Sequence, residues 1–286
     1  GRNLVNELIH RYFPYWPAFA ALLIASLLTA YVYLQYTSPK YEATAALIIK
    51  DENKGVDDPR MTEAINMFTS KKIVENELEV IHSRGLMKKV VEELNLYVPI
   101  YEERKIKSVP AYLSSPVIIK HKSPYNLKVS SPNSSEIYFS YDSIAGKVRL
   151  EGELYPLNEW VKTSYGELQF TLNPKQQQTA KGDLYFKLMH PQLIADALLK
   201  DLEVSPASKL STVVVLKIKD TVPQRGEDIL NQLIHAYNQE AIVDRNALAL
   251  NTMKFIEDRI KHIEEELGEL ESQVQAYKSK RGIVDL

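Results

Sequence analysis

The side chains able to do acid–base or metal chemistry are few and dispersed. The six histidines, His10, His82, His121, His190, His235 and His262, fall in stretches of different type. No two share the i, i+4 spacing that sets a pair of imidazoles on one helical turn for zinc, and no cysteine is present to help. The adjacent carboxylates Glu92-Glu93 and Glu264–Glu266 read as helix-surface charge. No G-x-x-x-x-G-K-[ST] phosphate cradle and no G-x-G-x-x-G occurs, and no serine has nucleophile-elbow flanks. The expectation is a chain with no catalytic, cofactor-binding or metal-ligating residue of its own.

What the sequence offers instead is surface. Tyr15 to Tyr36, YWPAFAALLIASLLTAYVYLQY, holds 22 residues without a charge. As a helix it would run roughly 33 Å, enough to cross a hydrocarbon layer about 30 Å thick. Tyr15 and Trp16 lie at one end and Tyr31, Tyr33 and Tyr36 at the other, where amphipathic rings settle at membrane–water boundaries. A core helix rarely runs so long without charge. A secretory apolar region is about 7–15 residues followed by a small-residue cleavage site, and none is evident before Pro39. Tyr15, Trp16, Leu22, Leu23, Leu27 and Tyr36 are therefore assigned as a membrane anchor. Arg2 and Arg11 before the span balance Lys40 and Lys50 after it, so charge alone leaves the orientation open.

Composition limits the rest. With 45% hydrophobic and 25% charged residues, the remainder should fold around a core. A net charge of −2 argues against nucleic acid as the main partner. The absence of cysteine suits an oxidising compartment without proving one. The chain opens on Gly1 and stops at Leu286 inside a periodic helix, and is read as a piece of something longer.

Before the span, Leu4, Val5, Leu8, Ile9, Tyr12 and Phe13 mark an amphipathic helix over residues 1–14, expected to lie on the membrane surface. After it, Tyr41–Lys50 reads as a strand covered on both faces, since its apolar character gathers at Leu47–Ile49. Residues 51–60 read as a loop and 61–96 as helical in three pieces. Ser83 stands where an N-cap is wanted, and Leu86, Val90 and Leu94 give the next piece its buried stripe. From Pro99 to about Met189, prolines punctuate short alternating runs: Tyr125-Leu127-Val129, Ile137-Phe139-Tyr141, Val148-Leu150, Leu168-Phe170-Leu172 and Leu184-Phe186-Leu188. These point to a small β-sandwich. Trp160 and the many tyrosines invite a sugar-stacking reading, although alternating aromatics are more often core and cross-strand pairs.

A short helix is expected over Gln192–Leu199. Strands follow over Leu202–Ser205 and Thr212–Lys219, the second pairing near Tyr41–Lys50 so that the β-sandwich is an insertion. A helix then opens at Asp220-Thr221-Val222-Pro223. Within it Met253, Ile256, Ile260, Ile263, Leu267, Leu270, Val274 and Tyr277 recur in steps of 3, 4, 3, 4, 3, 4, 3, a coiled-coil seam. Its partner is either a segment outside this chain or another subunit.

This order resembles the polysaccharide co-polymerase, or chain-length-determinant (Wzz-type), family, particularly the larger, Wzc-like members found with bacterial tyrosine autokinases. Three places carry the resemblance: Pro39-Lys40-Tyr41-Glu42-Ala43-Thr44-Ala45 after the span, Glu77-Leu78-Glu79-Val80-Ile81-His82-Ser83-Arg84, and Lys219-Asp220-Thr221-Val222-Pro223 running to Ile229, Asn231 and Tyr237. Gly226 and Glu227 stand where small alanines are usual in the family, a departure expected to loosen that helix locally.

The elements and the resemblance, which covers roughly residues 1–100 and 202–286, together give an α+β, membrane-anchored fold: an interfacial helix over 1–14, one transmembrane helix over 15–36, a split α/β periplasmic domain over 37–100 and 202–250 and a coiled coil starting at 251–286, with an inserted β-rich domain, a β-sandwich, over 101–201 outside the family pattern. It implies a cytoplasmic N-terminus, a periplasmic bulk and a ring of identical subunits in the inner membrane. Its implied partners are the bilayer, the polysaccharide polymerase, the outer-membrane exporter and the glycan itself, with no nucleic acid. The ring would regulate the length and export of capsule, exopolysaccharide or O-antigen. A protein-tyrosine kinase domain, with its ATP and magnesium, is implied only for a longer parent. Two other classes fit the same elements: a membrane-fusion adaptor of an efflux or secretion system, and a tethered carbohydrate-binding module.

Overall fold

The computed structural model describes residues 12, 15–49, 72, 74–105, 107–127, 135–208 and 211–280, with side chains to 277. The interfacial helix expected over 1–14 (Tyr12 apart), the 51–60 loop and the first part of the 61–96 helical stretch lie outside the described residues. The fold mixes helix and sheet. The chain divides into two compact units, 1–234 and 235–286.

Helix α1, Trp16–Tyr36, has no buried residue along its length. Its aliphatic hydroxyls turn back onto its own backbone: Ser26 Oγ donates to Leu23 O (3.0 Å) and Thr29 Oγ1 to Ala25 O (2.8 Å). Strand β1, Tyr41–Ile48, follows directly. It alternates between half-buried and exposed residues, and Ile48 is 67% exposed, so the expectation of cover on both faces is corrected. The reason is that one face of the sheet is not covered: β1 is the first strand of an antiparallel sheet ordered β1-β12-β11, in which β12 is Val213–Asp220 and β11 is Leu202–Pro206, and Thr44, Ala46 and Ile48 share the side of Lys217, Val215 and Val213, none of them buried. The β1–β12 register runs from Tyr41 opposite Asp220 to Ile48 opposite Val213. This is the pairing the sequence predicts.

Helices pack around this sheet. Residues 74–81 are helical, and α2, Arg84–Glu93, restarts at Ser83, whose Oγ accepts from Leu86 N (3.3 Å) as predicted for an N-cap. Leu86, Met87, Val90 and Val91 are buried along α2. Helix α3, Pro191–Asp201, is capped by His190 Nδ1, which accepts from Gln192 N (3.2 Å). Arg84 of α2 pairs with Asp196 of α3 at 3.0 Å. Helix α4, Pro223–Lys280, begins with proline at a position whose amide needs no partner. Asp220 caps it: Oδ1 accepts from Val222 N, and both oxygens take the Arg225 guanidinium, each at 2.8 Å. Burial of Ile229, Leu230 and Leu233 fixes its first turns, each side chain contributing about 1.5–3 kcal/mol.

Between α2 and α3 lie the remaining strands: β2 Ile100–Glu102, β3 Val109–Pro110, β4 Val117–His121, β5 Ile137–Asp142, β6 Lys147–Leu150, β7 Glu153–Pro156, β8 Trp160–Thr163, β9 Gly166–Leu172 and β10 Leu184–Phe186. They form two antiparallel sheets, β3-β2-β10-β5-β6-β7 and β4-β9-β8. Rings bridge the sheets, Tyr155 to Phe170 at 6.1 Å and Tyr165 to Phe186 at 6.5 Å. One predicted strand is corrected. Pro124–Asn126 is a 3-10 turn, so Tyr125 and Leu127 are not on a strand, and Val129 lies outside the described residues. Proline at the first position of that turn lacks the amide an inner strand would need.

Gly226 does not loosen α4; it lets the helix approach the sheet. A Cβ there would lie 3.2 Å from Ala43 Cβ on β1, and 3.5 Å and 3.6 Å from Asp220 Cβ and Ile218 Cγ2 on β12. A branched side chain cannot fit without parting helix from sheet. Gly226→Val should lower unfolding stability by about 1–3 kcal/mol in a urea titration. An unchanged midpoint would show that this approach is not tight.

Candidate functional site

Four of the five described histidines have separate local partners, and His235 is exposed on α4. His82 Nε2 lies 3.1 Å from Leu199 O, His121 Nδ1 accepts from Ser123 N (3.0 Å), His190 caps α3, and His262 pairs with Glu266 one turn on. Among the described residues no group of three or more His, Cys, Asp or Glu side chains could hold a metal ion. The notable features are surfaces.

The first is α1. Tyr15, Trp16, Leu22, Leu23, Leu27 and Tyr36 are all exposed, as are Tyr31 and Tyr33. Apolar side chains cover every side of the helix, and none is buried. It is the one helix among the described residues long and apolar enough to cross a membrane by length and composition. From α1 the chain enters β1 and, beyond residues 50–71, reaches the Ser83-capped α2. The family described as chain length determinant protein (Wzz) matches residues 2–94, ending just beyond α2.

Over those residues the chain is similar to that family. It is also 22% identical to Tyrosine-protein kinase ptk of Acinetobacter johnsonii over 307 aligned positions, covering 99% of this chain and 41% of that protein. The chain thus spans about two fifths of this relative's length.

Beyond the Wzz match, in the second unit, Met253, Ile256, Ile260, Ile263, Leu267, Leu270, Val274 and Tyr277 lie on α4 and are between 49% and 58% exposed. The predicted seam is therefore on one continuous helix with its apolar stripe open to solvent in the single chain.

Within the first unit, a cleft of about 620 Å³ opens between α3, the turn after α2, β4 and the start of α4. Leu96, Val98, Met189, Ile194 and Leu198 form its apolar wall. On the polar side, Asp228 Oδ2 accepts from Tyr112 Oη (2.7 Å) and Lys175 Nζ (2.8 Å), which is itself 3.0 Å from Tyr112 Oη. Burial and then the Asp228 hydrogen bond push the Tyr112 phenol well above its ordinary range. These groups satisfy one another and clamp the β region to α4. The sequence gives no sign of this triad, because its members are 112, 175 and 228.

The aromatic residues divide. Tyr101, Tyr185 and Tyr138 align across β2, β10 and β5 with ring centroids 5.4 Å and 5.5 Å apart. Lys187 lies over two of these rings and pairs with Glu136 at 3.2 Å. They are cross-strand pairs, and Tyr185 is only 3% exposed. Trp160, on edge strand β8, is 46% exposed.

His121 ties β4 to the β8–β9 turn. Gly166 has φ of +109°, and a Cβ there would meet His121 Nε2 at 2.6 Å. Burial lowers the His121 pKa below its ordinary 6.5. The unfolded chain then binds the proton more readily, so stability is present above pH 6.5 and is lost as pH falls through the folded value. Urea midpoints should drop between about pH 7 and pH 5, and His121→Gln should flatten that drop. An equal drop in the variant would assign the proton elsewhere.

Proposed function

We propose that this chain is the membrane-anchored, non-catalytic part of a polysaccharide co-polymerase, regulating chain length and export of capsular polysaccharide, exopolysaccharide or O-antigen as an oligomeric scaffold. The observation that carries the reading is the Wzz match over α1, β1 and α2, joined to a helix that is apolar on all sides and buried on none. A helix of this kind is costly in water and stable in lipid, where its backbone is satisfied internally. The aliphatic hydroxyls of Ser26 and Thr29 bond to its own carbonyls.

In this reading α1 crosses the inner membrane with the N-terminus cytoplasmic, and the body from Ser38 onward is periplasmic. Identical subunits form a ring, with the α4 seam meeting helices of neighbouring segments or subunits and the assembly working beside polymerase and outer-membrane exporter. The likeness to a tyrosine-protein kinase, most of which lies outside the alignment, supports a longer parent with a kinase domain that would bind ATP and magnesium.

Deleting the gene and sizing surface polysaccharide on a gel tests the function: a changed length distribution or a lost polymer is expected. An unaltered distribution and amount would contradict the proposal. The scaffold is tested separately by Ile260→Asp with Leu267→Asp. Sedimentation in detergent should show association weakened by about tenfold or more, since both residues face the seam. An unchanged oligomer would remove the seam from the assembly.

A further inference from the structure

The β2–β3 loop returns to the foot of α1. Lys107 Nζ donates to Thr37 O (3.0 Å) and Ser38 Oγ (3.2 Å), one and two residues past the last helical residue, Tyr36. The same loop exposes Arg104 and Lys105. Arg104 is committed to the buried Glu102 carboxylate (3.1 Å and 3.3 Å), which also accepts from Ser114 Oγ (3.2 Å) and Lys181 N (3.1 Å). Residues 181–183 therefore run beside 102–104. Glu103 N donates to Asp183 O (2.8 Å), and a Cβ on Gly182 would fall 1.9 Å from Glu103 O. Lys40, four residues past Tyr36, is exposed as well.

Two of the acids around these cations are paired with other cations. Glu102 holds Arg104 and Glu42 pairs with Lys217 (3.2 Å), while Glu103 accepts from Tyr138 Oη (3.0 Å) and keeps its charge. Lys40, Lys105, Lys107 and Lys181 make no ion pair among the described residues, against two exposed acids that face no cation, Glu103 and Asp183.

We propose that Lys40, Lys105, Lys107 and Lys181 form a contact surface for the phosphates of anionic phospholipids in the leaflet that α1 leaves at Tyr36. This rests on α1 crossing a bilayer. If it does, Tyr31, Tyr33 and Tyr36 set that end of the helix at the headgroup level. The Lys107 hydrogen bonds then hold the loop in the same layer. Cations there lie within a Debye length, about 10 Å, of lipid phosphate and are weakly screened. The surface would orient the body on the membrane rather than leave it swinging from the linker.

The full chain, reconstituted in phosphatidylcholine vesicles with or without phosphatidylglycerol, tests this with two photoreactive lipids, one carrying its carbene source in the headgroup and one in the acyl chain. Peptide mapping should place headgroup adducts within 103–108 and near 181. Those adducts should fall about tenfold without phosphatidylglycerol, or in the Lys105→Glu/Lys181→Glu variant, while acyl adducts stay on 16–36. A thermal melt of the variant matching the parent keeps the fold out of the comparison. Acyl adducts on 16–36 with 103–108 unlabelled, or labelled regardless of lipid charge, overturn this inference alone. Absence of acyl adducts on 16–36 overturns the membrane-spanning reading, and this inference with it.

Discussion

Strand β1 leaves α1 after only four residues and is paired along its whole length with β12. The segment nearest the apolar helix is thus closed by a strand from far along the chain, and everything between them is confined to one loop-out. Such a pairing is entropically costly to close and is secured by what packs on it. Val214, Leu216 and Ile218 of β12 are buried, Asp220 at its end starts α4, and Gly226 brings α4 against both strands. Loss of the β1–β12 ladder would separate α1 from α4.

The elements whose signal is local were legible in the sequence. A chargeless run announces α1, Ser83 announces α2, and Pro223 behind Asp220 announces α4, because each depends on neighbours a few residues away. The β11–β12 hairpin was also visible from its β-branched run. What escaped depends on distant partners. Strand β4 is a continuous apolar run, Val117–Ile119, with no alternation to mark it, and β2 and β3 are too short to show a period. The partial exposure of β1 follows from the uncovered face of its sheet, which composition does not encode. The buried Glu102 looks like any surface glutamate until Arg104, Ser114 and the 181 amide converge on it. Gly226 invites misreading in the same way, since only the Ala43 and Ile218 side chains reveal why it has no side chain of its own.

The candidate sites are legible to the same extent. The chargeless run of α1 and the apolar stripe of α4 are each visible within one segment, and the structure displays both as exposed apolar surfaces. The Tyr112–Lys175–Asp228 clamp and the basic edge beside Thr37 are not patterns of any one segment. They exist only once three or four stretches are folded together.

Because the sequence contains no cysteine, single introduced cysteines report topology without background. The decisive measurement is labelling of intact cells, with the chain carrying Asn158→Cys or, separately, Ser205→Cys, by a maleimide that reaches the periplasm but cannot cross the inner membrane. The account predicts that both positions are labelled before lysis and that the labelled chain sediments with the inner membrane. Labelling only after lysis, or a labelled chain recovered in the soluble fraction, would contradict it.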